Sequence, residues 1–355
     1  MAGPRASCSA SVLALLVLGL ALGCKSTPIF KYSLDVPAQT LLLPGAPPVR
    51  DGRARFREIF CALLALQPAA SARTCGALLH RLSDEPEPAH RARPLPVHEV
   101  KLTVLFVPGL LGDCAYGLAP PFESAVKRLR QLGYDARLSQ VNASANSHSN
   151  AERLAQEIEQ LPPGQLVLVG HARGAVDILE LLVSHPTAAS RVQAVLSVAG
   201  AINGSPLASS PRGEALLFER GEDTPCTLGE REALQDLEPA HRLRWLLEHP
   251  LPPGPLYFSL VAFRPVAEMA PPLSRRAAAL AAIDPRNDGL LPFFDQVIPG
   301  SELLGYVNAD HFSIAAEPAG TVSLSAGAQG SVPQDVVIEA GLLRISEALA
   351  SRGGR

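Results

Sequence analysis

From Val97 onward, two patterns of apolar residues alternate along the chain. Short apolar runs rich in β-branched residues predict buried strands, and longer segments with apolar residues at helical spacing predict helices. The predicted strands cover residues 101–107, 136–141, 165–169, 192–198, 256–263 and 304–307. The predicted helices cover residues 121–132, 150–160, 174–184 and 334–350. This alternation indicates an α/β fold with a mostly parallel sheet and flanking crossover helices.

Residues 24–96 follow a different pattern. The start of this region is rich in proline and predicts a linker and edge segment. The stretches FREIFCALLAL (56–66) and SARTCGALLHRL (71–82) have helical apolar spacing and predict a pair of helices. The connector SDEPEPAHRARPLP (83–96) is too rich in proline and charge for regular structure. We therefore predict a linker with an N-terminal helical appendage at residues 24–96 and one main domain at residues 97–352.

An insertion at about residues 205–255 separates two of the predicted strands and is longer than an ordinary loop. Within it, GEREALQDLEPAHRLRWLLEH (229–249) carries apolar residues at helical spacing, including Trp245, the only tryptophan. Two interpretations remain open. The helix forms a cap over a ligand pocket, or it simply packs on the core.

The first 23 residues predict a targeting segment rather than part of the fold. Arg5 supplies a positive charge, and the apolar run SVLALLVLGLAL (11–22) is short for a membrane span. The following LALGCKS resembles the lipobox of bacterial lipoproteins, in which the cysteine is acylated. This resemblance implies lipidation of Cys24 and a lipid anchor in the bacterial cell envelope, at the periplasmic face or outer membrane. The alternative is an ordinary secretory signal that is cleaved nearby.

Four cysteines remain after Cys8 in the targeting segment and the anchor candidate Cys24 are set aside. An exported protein can form disulfides, and four cysteines allow three connectivities. The preferred pairing joins Cys61 to Cys75 within the helical appendage and Cys114 to Cys226 between two loops. The alternative is four unpaired thiols. None of these cysteines has the close spacing of a structural zinc site, and no metal or cofactor is predicted.

Composition and charge exclude several functional classes. The 355 residues are 47% hydrophobic and 18% charged, which fits a globular protein and argues against disorder. A net charge of −3 gives no basic surface for nucleic acid, so no nucleic-acid partner is predicted.

The stretch QLVLVGHARGAVDIL (165–179) places a sharp, glycine-flanked turn between a predicted strand and a predicted helix. A strand, a turn and a helix in this order carry the nucleophilic serine of many hydrolases, as G-x-S-x-G. Here the central position is Ala172. His171, just before it, is interpreted as a residue that packs beneath the turn rather than one that replaces the serine.

Other parts of an acyl-transfer site have candidates elsewhere in the chain. Asp288 in DPRNDGLLP and His311 in NADHFSIA follow in the acid-then-histidine order of this scaffold, with Asp284 as a rival acid. The turn PGLLG after the first predicted strand and the elbow itself offer backbone N–H groups to an oxyanion. The predicted donors are Leu110 and Arg173.

Five ordered motifs together resemble the α/β-hydrolase superfamily, and within it the bacterial lipases. They are PGLLGD, GHARG, SVAGAINGSPLA, NDG and NADH. The resemblance covers residues 97–350 and implies the fold, an ester-type substrate and the roles given above for Leu110, Arg173, Asp288 and His311. It does not imply the calcium site of some of these lipases, because Phe312 and Ser313 occupy the places after the histidine.

The departure at Ala172 decides the functional prediction, because a methyl group cannot attack a carbonyl carbon. We interpret alanine at position 172 as a natural loss of the serine, because the signal segment argues against an engineered chain. The alternatives are a deliberate substitution, a sequence error and a different chemistry. The leading prediction is a lipase- or esterase-like lipoprotein with lost or strongly reduced hydrolytic activity, whose pocket binds an acyl ester or another apolar ligand. The alternatives are an active carboxylic-ester hydrolase with an unrecognised nucleophile or activated water, and a structural envelope protein.

Overall fold

The computed structural model describes residues 47–67, 74–82, 85–87, 95–96, 98, 102–109, 120–142, 145–209, 211, 234–269, 271–317 and 332–353. The strands are β1 (Arg50–Asp51), β2 (Leu79–His80), β3 (Leu102–Val107), β4 (Asp135–Leu138), β5 (Gln165–His171), β6 (Val192–Val198), β7 (Leu256–Phe263) and β8 (Glu302–Asn308). The helices are α1 (Arg53–Ala65), α2 (Cys75–Leu78), α3 (Glu123–Gln131), α4 (Ser147–Gln160), α5 (Arg173–Ser184), α6 (Pro186–Ala189), α7 (Pro239–Glu248), α8 (Pro271–Leu280) and α9 (Gln334–Gly353).

The eight strands form one sheet in the order β1-β8-β7-β6-β5-β3-β4, and β2 also pairs with β8. Every neighbouring pair is parallel except β2 with β8. The prediction of a mostly parallel α/β sheet with flanking helices is therefore confirmed. Because the strands run the same way, the loops that follow β3, β5, β6, β7 and β8 meet at one edge of the sheet, where α/β proteins bind ligands.

Alternation along the strands divides the core between the two faces of the sheet. On β3, Val104 and Phe106 belong to the core beneath α1, α3 and α9, whereas Leu105 and Val107 belong to the core beneath α4 and α5. The same strand is buried along its whole length. Such burial on both faces explains why the central strands read as continuous apolar runs in the sequence.

The prediction of two helices before the main domain is right for the first and wrong for the second. Helix α1 covers Arg53–Ala65, but among the described residues 74–82 of the second segment only Cys75–Leu78 is helical, and the chain then continues as β2. β2 pairs antiparallel with β8, and the guanidinium of Arg57 donates to the carbonyl oxygens of Leu79 and His80. One helical turn is marginal by itself, so strand pairing at the sheet edge overrides the helical pattern.

The predicted Cys61–Cys75 disulfide is present and ties α1 to α2. The bridge closes a loop with a sequence separation of 14, and a loop of this size restricts the unfolded chain by about 3 kcal/mol. Cys24, Cys114 and Cys226 lie outside the described residues, so the anchor and the second pairing stay predictions.

The described part of the predicted cap packs on the core. Trp245 and Leu246 of α7 share a hydrophobic cluster with Leu168, Ile178 and Tyr257 of the sheet and α5. This contact favours core packing for α7, whereas residues 212–233 of the insertion are not described. None of the described helices is long and apolar enough to cross a lipid bilayer.

Candidate active site

Ala172 alone makes the turn between β5, which ends at His171, and α5, which begins at Arg173. Its backbone has φ 50° and ψ −122°, a region that residues with a side chain rarely adopt. The turn is held by hydrogen bonds from Ala172 N to Val198 O (3.3 Å) and from Ala201 N to Ala172 O (3.0 Å). The surrounding structure thus fixes the strained geometry of a nucleophile elbow around a methyl side chain.

The two glycines beside the elbow are required by close backbone approaches. A Cβ atom on Gly170 would lie 2.7 Å from Ala175 N, and one on Gly174 would lie 2.2 Å from Val107 O. Gly174 therefore lets α5 press against the end of β3. This packing explains why glycine stands at positions 170 and 174, on both sides of the turn.

We expect Gly174→Ala to lower the free energy of unfolding by about 2 kcal/mol or more, because the added methyl overlaps backbone that cannot move away. Gly76→Ala is the matched control, since a Cβ atom on Gly76 has nothing within 4 Å. Urea unfolding followed by circular dichroism measures both. Equal midpoints for the two variants would show that the elbow is not packed as tightly as described.

Asp288 and His311 lie within hydrogen-bonding distance, as the sequence order predicts. Oδ2 of Asp288 is 2.7 Å from Nδ1 of His311, and both side chains are buried. The backbone N–H of His311 also donates to the carbonyl oxygen of Asp288 (2.8 Å). The loop after β8 is thereby joined to the acid loop through both backbone and side chain.

The carboxylate of Asp288 is surrounded by donors. Its Oδ1 accepts from the backbone N–H groups of Leu290 (2.8 Å) and Leu291 (2.7 Å), and Nε2 of Gln296 lies 3.4 Å from Oδ2. Such donors stabilise a buried negative charge. Gln296 is not predicted from the sequence, because a single glutamine at the end of a short 3₁₀ helix (Phe293–Gln296) carries no motif.

The rival acid Asp284 has a different partner. Its carboxylate forms a bidentate pair with Arg286, at 3.0 Å from Nε to Oδ1 and 2.7 Å from Nη2 to Oδ2. The structure therefore selects Asp288, not Asp284, as the carboxylate that contacts His311.

His171 joins the elbow to the histidine loop. Its Nε2 lies 2.8 Å from the carbonyl oxygen of His311, and the two ring centroids are 4.8 Å apart. Burial lowers the pKa of His171 well below its usual value, with the charge of His311 adding to the effect and the hydrogen bond opposing it. The neutral ring donates from Nε2 to the carbonyl. The interpretation of His171 as a packing residue agrees with this contact.

The two predicted oxyanion donors, Leu110 and Arg173, belong to the turn after β3 and to the elbow. Leu110 lies outside the described residues, but a Cβ atom on the preceding Gly109 would lie 2.7 Å from the Ala172 Cβ and 3.3 Å from Arg173 N. Gly109, the second residue after β3, thus lies directly against the elbow. The Arg173 side chain is buried and donates to the carbonyl oxygens of Ala145 and Asn142. A role for Arg173 in oxyanion binding would therefore fall to its backbone N–H.

Another buried carboxyl, Asp295, follows the acid loop and is not predicted from the sequence. Burial raises the pKa of Asp295 to about 7, and a hydrogen bond from the side chain of Asn203 opposes the shift.

Within the described parts of the chain, no three His, Cys, Asp or Glu side chains group closely enough to hold a metal ion.

We predict a pH-dependent contribution of Asp295 to stability. Its pKa of about 7 in the folded protein exceeds the unfolded value of about 4, so the folded state binds the proton more tightly. The stabilisation is present below about pH 4 and is lost as the pH rises to about 7, on the order of a few kcal/mol. Asp295→Asn should therefore gain stability relative to the native protein as the pH rises from about 4 to about 7 in denaturant titrations; a constant difference over this range would contradict this.

Comparison with solved structures places this geometry among known proteins. The metagenomic carboxyl esterase MGS0156 is 36% identical, with a TM-score of 0.78 over 94% of this chain and 99% of that chain. The mature Bacillus licheniformis lipase BlEst2 is 19% identical, with a TM-score of 0.50 over 62% of this chain and 89% of that chain, a likeness of fold alone. No protein-family model matches the sequence, and no curated protein matches it significantly.

Proposed function

The chain belongs to the α/β-hydrolase family of carboxyl esterases and lipases, and from this premise we propose that it is a degenerate esterase that binds acyl esters but hydrolyses them slowly or not at all. The observation that carries the proposal is the combination of a methyl group at the elbow with a formed Asp288–His311 pair. The described part of the site contains the acid and the histidine of an esterase but no hydroxyl at the elbow to attack the ester.

The absence of a hydroxyl at position 172 strongly lowers the expected rate of ester hydrolysis. The covalent route needs a hydroxyl at Ala172 that gives its proton to His311 and attacks the carbonyl carbon. Without it, an oxyanion site and substrate binding alone leave an acceleration of about 10³ to 10⁴ over water. This residual acceleration is far below the acceleration that most enzymes achieve.

The remaining groups have roles suited to binding an ester. The backbone N–H groups of Leu110 and Arg173 are proposed to donate to the ester carbonyl oxygen, and His311 to face the same atoms with its Nε2. The ligand class is an acyl ester or a similar apolar molecule with one carbonyl group.

The experiment measures binding and turnover separately. Native protein is mixed with a graded series of chromogenic acyl esters, and binding is followed by the shift of the thermal midpoint with ester concentration. We expect a shift that grows with the logarithm of the ester concentration above Kd, together with turnover that is the same for native protein and His311→Gln. Absence of any shift for every ester would overturn the binding proposal.

A second candidate function is hydrolysis by a water molecule that His311 activates. The observation that favours it is the 2.7 Å contact between Nδ1 of His311 and Asp288, which keeps a general base oriented even though Ala172 has no proton to give. For the same assay, this candidate predicts a different turnover in the native protein and in His311→Gln. Native turnover would be clearly above background and would fall in His311→Gln.

We also propose that Cys24 carries a lipid that anchors the protein in the bacterial cell envelope. The support is the apolar run 11–22 followed directly by a small residue and the cysteine. Expressed with its own N-terminus, the native chain is expected in the membrane fraction, and Cys24→Ser in the soluble fraction or uncleaved. A Cys24→Ser chain that is processed and retained like the native one would contradict lipidation at this residue.

A further inference from the structure

Three segments at the carboxyl edge of the sheet meet at Arg264, the first residue after β7. Its backbone N–H donates to the carbonyl oxygen of Asn287 (3.3 Å), which directly precedes Asp288. Its Nη2 donates to the carbonyl oxygen of Asn308 (3.3 Å), the last residue of β8. Its Nη1 lies 3.4 Å from Oδ2 of Asp310, which directly precedes His311. One residue thus contacts the acid loop, the end of β8 and the histidine loop.

Asp310 organises the histidine loop from the other side. Its Oδ1 accepts from the backbone N–H groups of Phe312 (3.2 Å) and Ser313 (2.8 Å). Its own backbone N–H donates to Oγ of Ser313 (3.0 Å). The carboxylate therefore closes the turn around His311 with one oxygen and meets Arg264 with the other.

The burial of this ion pair makes it sensitive to the loss of either partner. The side chains of Arg264 and Asp310 are 5% and 8% exposed. Removal of one charge from such a pair leaves the other uncompensated in a poorly solvated place. The loop would then relax toward water, and His311 would move with Asp310 because the two are adjacent in the chain.

We propose that Arg264 is a positioning residue, which acts through Asp310 to hold His311 in hydrogen-bonding geometry with Asp288. The effect of Arg264 comes from fixing the two loops that carry Asp288 and His311. For catalysis the inference rests on the proposed function, whereas the geometry of the pair can be measured without it.

The first readout is spectroscopic and uses the native full-length chain. A proton on Nδ1 of His311 that is shared with a buried carboxylate gives a separate low-field ¹H NMR resonance, which is assigned by its loss in His311→Gln. We expect Arg264→Gln to weaken or abolish this resonance, and Arg264→Lys to restore part of it because the positive charge returns. An unchanged resonance in Arg264→Gln would overturn the proposal.

The second readout is kinetic and uses the Ala172→Ser background. We expect Arg264→Gln to lower kcat about 10²-fold, the cost of a misplacement of roughly 1 Å, with KM within about twofold. If Arg264 had only a structural role, Arg264→Gln would lower the amount of folded protein, but the folded fraction would keep its kcat. If Ala172→Ser shows no hydrolysis at all, the proposed function fails, but the spectroscopic test of Arg264 still stands.

Two further variants separate positioning from general destabilisation. Arg344→Gln is the matched control, because Arg344 pairs with Glu302 (2.7 Å) at the opposite end of β8. We expect Arg344→Gln to leave the resonance and kcat unchanged, and an equal loss there would overturn a specific role for Arg264. If Arg264→Gln does not fold, Asp310→Asn decides, since it keeps the Oδ1 acceptor and removes the charge. Its resonance must weaken as well for the proposal to hold.

Discussion

Ala172→Ser is expected to raise kcat/KM for chromogenic acyl esters by at least about 10³-fold over the native protein. The strained elbow is already formed, with φ 50° at residue 172, so the serine hydroxyl enters a prepared position. His311 is paired with Asp288 and can take the proton. Removal of the nucleophile from a serine protease costs about 10⁶-fold, and the expected gain recovers a part of this loss.

Ala172→Gly is the matched control for that substitution. Glycine relieves the backbone strain at the same position without adding a hydroxyl, so any effect of strain alone appears in it. Native protein and Ala172→Gly should have the same low activity. If the native protein already hydrolyses esters at an enzymatic rate and Ala172→Ser does not exceed it, the degenerate-esterase proposal is wrong and another nucleophile must be sought.

Asp288→Asn, introduced into the Ala172→Ser background, is expected to lower kcat by about 10⁴-fold. The amide can no longer accept the Nδ1–H of His311 with a full negative charge, and it favours the wrong tautomer of the imidazole. The geometry should be kept, because the backbone N–H groups of Leu290 and Leu291 still find an oxygen acceptor. Steady-state kinetics measure the effect, with circular dichroism as a check on folding.

The rival carboxylate supplies the control for this prediction. Asp284→Asn in the same background disturbs the ion pair with Arg286 but leaves the contact between Asp288 and His311 intact. We expect its kcat to stay within a few-fold of the Ala172→Ser parent. A loss as large as that of Asp288→Asn would mean that the acid assignment is wrong.

Much of the fold is predictable from the sequence because its signals are local. The central strands are buried on both faces, and so they appear as uninterrupted apolar runs such as residues 104–107 and 166–169. The long helices α4, α5 and α9 have enough turns to display their spacing. The sequence does not predict β1 and β2, because each has two residues and exists only through pairing with β8.

The candidate site divides in the same way. The sequence by itself determined the elbow, its glycines, the methyl side chain of residue 172 and the order of acid and histidine, since each depends on residue type within a short stretch. Only the tertiary structure decided that Asp288 rather than Asp284 contacts His311, and that Gln296 and Arg264 lie around the pair. The contacts of Asp288 with His311 and of Arg264 with Asp310 join residues on separate loops after β7 and β8. Their distances depend on how parallel strands bring loop ends together, and no local pattern of residues records such a distance.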